Sequence, residues 1–142
     1  MIRFAALLIA GLAASGCAVE PRNAVVPASV EISAPSQEVS EEIARFSGIW
    51  AGTWDGCLPG KLAVVSIQPT GAVQAYYAYG DCAKWNISQG GGLHEGTIDG
   101  DVLRLDTFRN GANVTYTLLQ DGSLRGSYIR DGGETLGRFL KE

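Results

Sequence analysis

Phe46-Ser47-Gly48-Ile49-Trp50-Ala51-Gly52-Thr53-Trp54-Asp55 is the stretch that decides the fold. Phe46, Gly48, Trp50, Gly52 and Trp54 alternate with Ser47, Ile49, Ala51, Thr53 and Asp55. Successive strand residues point to opposite faces, so a period of two sets the large aromatics on one side. The same period recurs downstream in Leu62–Gln68, Ala72–Tyr79, Leu93–Ile98, Val102–Phe108, Ala112–Leu119, Leu124–Arg130 and Thr135–Lys141. Ala112, Val114, Tyr116 and Leu118 are apolar while Asn113, Thr115 and Thr117 are polar, and Leu103 and Leu105 oppose Arg104 and Asp106. The runs are punctuated by Pro69-Thr70-Gly71, Asp99-Gly100, Asn110-Gly111, Asp121-Gly122 and Asp131-Gly132-Gly133. Such pairs supply the backbone conformations that tight hairpins need. A long one-sided sheet hides its apolar face best by closing on itself. Residues 46–142 are therefore expected to form an all-β domain, a small antiparallel up-and-down β-barrel of about eight strands. A flattened two-sheet sandwich is the alternative.

Gly48-Ile49-Trp50 at the opening of the first strand resembles the Gly-x-Trp signature of lipocalin and avidin-like barrels. Gly126-Ser127-Tyr128 looks like a second copy of the same small-x-aromatic device. The resemblance implies the fold and no particular ligand. Its physical basis is that glycine lets a neighbouring tryptophan lie flat over the backbone and close a barrel end.

Upstream, Met1-Ile2-Arg3 carries one positive charge, and Phe4 to Ala14 is apolar apart from Gly11. A charged start, a short apolar run and small residues after it mark an export signal, too short to span a bilayer. Its end, Ala14-Ser15-Gly16-Cys17, resembles the bacterial lipoprotein signal, with Ala14 where leucine is commoner. The resemblance implies cleavage after residue 16 and a lipid-modified, acylated Cys17 as the mature N-terminus. Ala18, rather than aspartate, follows the cysteine. That implies the outer membrane, facing the periplasm, with the lipid as the membrane contact.

Three of the five prolines, Pro21, Pro27 and Pro35, fall just after this signal. They predict an extended, solvated and mobile linker able to hold a domain tens of ångströms from the lipid. Ser36 is a candidate N-cap for one short helix, with Val39, Ile43 and Phe46 at helical spacing and Gly48 as its stop. Signal, linker with helix, and barrel thus divide the chain at 1–16, 17–45 and 46–142.

The 142 residues are 46% hydrophobic and 18% charged, with Lys+Arg 11 against Asp+Glu 15. No basic surplus exists to neutralise phosphates, which argues against nucleic acid as a partner. One histidine and three cysteines argue against a four-ligand zinc site, and no cofactor is expected. With Cys17 lipidated, Cys57 and Cys82 remain in an oxidising compartment, outside any Cys-x-x-Cys motif. A structural disulfide between them is expected.

No serine sits in a nucleophile elbow, and Gly90-Gly91-Gly92 is followed by neither Lys-Ser/Thr nor a helix. His94 reads as an exposed loop histidine, and Asp55, Asp81 and Asp106 as turn aspartates. The chain is therefore read as non-enzymatic. The aromatics of the first half have two readings. They pack core and barrel end, or Trp54, Tyr79 and Trp85 line a barrel mouth that takes a small apolar ligand or a partner's side chain. Short strands leave an interior nearly filled by side chains, so any cavity is expected to be small. The functional expectation is a cell-envelope lipoprotein with a binding or scaffold barrel. The alternative is a periplasmic inhibitor, since the barrel with its single bridge is similar to bacterial inhibitors of secreted zinc metalloproteases. In that family the segment before the barrel enters the protease cleft, which maps loosely onto the residues before Phe46.

Overall fold

The structure, a computed structural model, describes Gly16 and residues 19–142. The export signal and Cys17 lie outside the described residues. A single helical turn, α1 (Glu41–Ala44), precedes eight strands: β1 (Gly48–Trp54), β2 (Leu58–Ile67), β3 (Ala72–Tyr79), β4 (Gly90–Asp99), β5 (Val102–Leu105), β6 (Asn113–Leu118), β7 (Leu124–Arg130) and β8 (Gly133–Lys141). Each strand pairs antiparallel with the next, and β8 returns to β1 to close the barrel. The sandwich alternative is thereby removed. Closure leaves no sheet edge to seek another chain.

Three strands, β2, β4 and β8, start earlier than the periodicity suggests. β2 begins at Leu58 because Asp55 and Gly56 both adopt positive φ (46° and 64°), making a tight hairpin from Trp54 to Leu58. Asp131 and Gly132 do the same (51° and 77°) between β7 and β8. β4 begins at Gly90 because Gly90, Gly91 and Gly92 pair with Tyr79, Ala78 and Tyr77. The neighbouring strand supplies a ladder that overrides glycine's poor strand propensity.

Inward positions of all the strands form one continuous core, including Trp50, Leu62, Val64, Leu103, Val114, Tyr116, Leu124 and Phe139. One end of the barrel is closed. There Val39, Ile43 and Phe46 are buried as the helical spacing implied, each contributing about 1.5–3 kcal/mol of apolar burial. The Trp50 Nε1–H donates to the Phe46 carbonyl at 3.0 Å, and the Lys141 ammonium lies 5.1 Å from the Trp50 ring centre. The helix starts later than expected, with Ser40 rather than Ser36 at its N-cap. Ser36 instead accepts the Val39 N–H at 3.1 Å, which turns the chain before the helix can begin.

The linker is extended and largely exposed, as its prolines imply, but between Arg22 and Ser33 it is a strap tied to the barrel rather than a free spacer. At the other barrel end the Arg22 guanidinium pairs with Asp81 (Nε to Oδ2 3.0 Å) and Ala24 is buried. Near the closed end the Ser33 N–H donates to the Val65 carbonyl at 2.8 Å, where β2 is bulged between Val64 and Ser66. A bulge frees backbone groups from the ladder, and the strap uses one of them.

Candidate binding site

The end opposite α1 is open. It is built from the β1–β2 turn, the long β3–β4 loop, the β5–β6 loop and the β7–β8 turn. The β3–β4 loop is the longest of the four, and three devices hold it. Cys57 and Cys82 are joined, with Cα atoms 5.9 Å apart, tying the loop to the β1–β2 turn. The N–H of Cys82 donates to the Ile87 carbonyl (2.9 Å) and that of Ile87 to the Cys82 carbonyl (3.0 Å), closing a small ring around the Ala83–Trp85 3₁₀ turn. The Asp81 carboxylate accepts from Arg22 and from the Gln89 N–H at 2.7 Å, and these bonds hold its pKa well below the usual carboxylate range.

Within this mouth lies a cavity of about 920 Å³, open to solvent and lined by Trp54, Leu58, Tyr77, Tyr79, Trp85, Ile87, His94, Phe108 and Tyr128 among others. It is larger than the filled interior expected of such short strands. Two sets of glycines explain it. Trp54 lies across the barrel as a floor because Gly60, Gly126 and Gly137 make room for its ring; a Cβ on Gly126 would sit 2.7 Å from Trp54 Cη2 and 2.8 Å from Phe139 Cε2. Above the floor β4 turns Gly92 inward, and a Cβ there would meet only His94 Nε2, at 3.9 Å. A strand that contributes no side chain at that level leaves the space empty.

The floor is an aromatic cluster. Trp54 packs on Phe139, Tyr116, Tyr128 and Tyr77 with ring centres 5.1, 5.9, 6.2 and 6.4 Å apart. The Trp54 Nε1–H is fully enclosed and has no hydrogen-bond partner, although the Tyr77 hydroxyl is near enough to feel it. An unpaired buried N–H costs about 1–3 kcal/mol. Burial raises the Tyr77 phenol well above the ordinary tyrosine range, with Tyr128 and Tyr79 adding to the effect. On one wall His94 stacks on Phe108 at 4.2 Å and meets Tyr77 edge-on at 6.1 Å. Burial lowers the His94 pKa, partly offset by Asp106. At the rim the Asn110 Nδ2–H donates to the Tyr128 hydroxyl at 2.9 Å, beside Arg109 and Arg130.

Trp54, Tyr79 and Trp85 therefore line one cavity, Trp54 as its buried floor and the other two as half-buried walls. Tyr77 and Tyr79 share the inward face of β3 and Tyr76 lies outside, as the alternation required. His94 corrects the sequence reading: it stands on β4, half-buried and facing the cavity, not on an exposed loop. Gly96 and Ile98 share its face, and that alternation was the signal available. Phe108 and Tyr128 complete the walls. Asp55 and Asp81 sit at turns around the mouth and Asp106 just past β5. Among the described residues no cluster of three or more His, Cys, Asp or Glu is placed to hold a metal ion. The stretch before Phe46, which the inhibitor resemblance would send into a protease cleft, is engaged with its own barrel from Arg22 onward. No protein-family model matches the chain, and no curated protein is similar to it in sequence.

Proposed function

We propose that this chain is a lipid-anchored cell-envelope protein whose barrel binds a small, largely apolar ligand and catalyses no reaction. The observation that carries the reading is the open, aromatic-lined cavity of about 920 Å³, within the ~300–1,000 Å³ range of small-molecule sites. A disulfide and a charge pair hold its most irregular loop, which lowers the ordering cost of binding. The sequence Ala14-Ser15-Gly16-Cys17 after a short apolar run supports the anchor and, with Ala18, the periplasmic face of the outer membrane.

The binding test uses N-phenyl-1-naphthylamine, an apolar probe excited by energy transfer from tryptophan. Wild type is expected to bind it saturably, while Gly92→Leu, whose Cβ has room and whose longer side chain occupies the cavity, reduces binding at least tenfold and keeps the fold. Unchanged binding in Gly92→Leu refutes the site. The anchor is tested by mass spectrometry of the mature N-terminus: a diacylglyceryl, acylated Cys17 is expected. An unmodified terminus at another residue contradicts the reading.

A further inference from the structure

The strap decides which end of the barrel lies near the chain's N-terminal side. Arg22 donates to Asp81 from its backbone N–H (2.9 Å), Nε (3.0 Å) and Nη2 (3.1 Å). The Asp81 N–H donates back to the Arg22 carbonyl at 2.8 Å, and Gln89 Nε2 donates to the Asn23 carbonyl at 2.7 Å. Gly80 lies so close to the Arg22–Ala24 backbone that no Cβ would fit. Asp81 and Gln89 belong to the β3–β4 loop, at the rim of the open mouth. Only four residues separate Cys17 from Arg22, and five steps of an extended chain at no more than about 3.6 Å each put a lipid on Cys17 within ~18 Å of that rim.

The charges agree with this placement. The closed end exposes Glu38, Glu41, Glu42, Asp99, Asp101 and Asp121 against Arg45 and Lys141, so acids outnumber bases there. The mouth mixes Asp55, Asp106, Asp131 and Glu134 with Lys84, Arg109 and Arg130. An anionic leaflet repels the first end more than the second.

Resting on the lipoprotein reading above, we propose that the strap holds the open mouth against the leaflet that anchors Cys17, so that the cavity opens onto the phospholipid surface. Ligand then enters and leaves at the membrane, and the acidic closed end faces the aqueous space.

The test reconstitutes the full mature, lipidated protein into phosphatidylethanolamine–phosphatidylglycerol vesicles carrying a headgroup nitroxide. A fluorophore is attached at Arg109→Cys on the mouth or at Gln120→Cys on the far turn, with the native disulfide intact. Quenching is expected to be at least threefold stronger at 109 than at 120. Inserting twelve Gly/Ser residues between Val19 and Glu20 is expected to remove most of that difference while the protein stays on the vesicles. Equal quenching at the two sites in vesicle-bound wild type, or stronger quenching at 120, overturns the orientation and leaves the anchor standing. Protein that does not remain with the vesicles overturns the anchor and this inference together.

Discussion

Two glycine-to-alanine substitutions should behave oppositely, because one adds a methyl group to packed space and the other to the cavity. At Gly126 the new Cβ would lie 2.7 Å from Trp54 Cη2, 2.8 Å from Phe139 Cε2 and 2.9 Å from Trp54 Cζ3. These are ring atoms of two side chains buried in the floor, which have no free direction of retreat except upward into the cavity. Overpacking of this kind costs about 1–3 kcal/mol, and the relief from replacing a strand glycine returns about 0.5–1 kcal/mol. A net loss of about 1–2 kcal/mol follows, or roughly 5–15 °C in melting temperature for a domain of this size. At Gly92 nothing lies closer than 3.9 Å, so alanine should be neutral or stabilise by about 0.4–1 kcal/mol through the unfolded state. Thermal unfolding followed by circular dichroism reads both. If Gly126→Ala is as harmless as Gly92→Ala, Trp54 does not form the floor and the cavity is not bounded as described.

Replacing both Cys57 and Cys82 by serine should cost about 3–4 kcal/mol from loop-closure entropy, measured by urea unfolding; oxidised wild type should show no free thiol on alkylation before reduction. The lowered His94 pKa means that the unfolded chain binds the proton more readily than the folded one. Stability should therefore fall as pH drops from 7 to 5, and His94→Gln should flatten that slope; an unchanged slope refutes the placement of His94. Acid loss of the Asp81–Arg22 tie should come only at lower pH, below the ordinary carboxylate range, because Asp81 is held ionised by its partners. Trp85→Ala should leave the melting temperature within a few degrees and weaken probe binding severalfold, whereas a large drop in melting temperature with binding intact would make Trp85 a core residue.

The barrel was legible because period-two patterning and hairpin pairs are local signals, and Phe46 to Trp54 carries both the alternation and the closing Trp50. What escaped the sequence depended on partners far along the chain. Gly90-Gly91-Gly92 looks like a loop until β3 is set beside it, and misplacing it also misplaced His94. Asp55 reads both as the end of the first alternation and as a turn aspartate, and without Asp55-Gly56 among the hairpin breaks the early start of β2 stays hidden. The pairing of Arg22 with Asp81 spans 59 residues and has no local signature, so the strap looked like a free linker. Trp54 and Tyr79 meet because both end strands at the same rim, and Trp85, on the loop after β3, joins them because Cys82 is tied back to Cys57. The size of the cavity was missed because it depends on inward glycines, whose orientation only the strand register reveals.

The three tryptophans provide the most direct test of the binding site, since each has one indole N–H and they occupy three different places. Trp50 donates to Phe46 at the closed end, Trp54 is the unpaired floor of the cavity, and Trp85 stands in its wall. A ¹H–¹⁵N spectrum of the soluble Cys17→Ser protein, titrated with N-phenyl-1-naphthylamine, should show the Trp54 and Trp85 indole signals moving together while Trp50 stays fixed. Movement of none of them, or of all three alike, would contradict a ligand site in the mouth of the barrel.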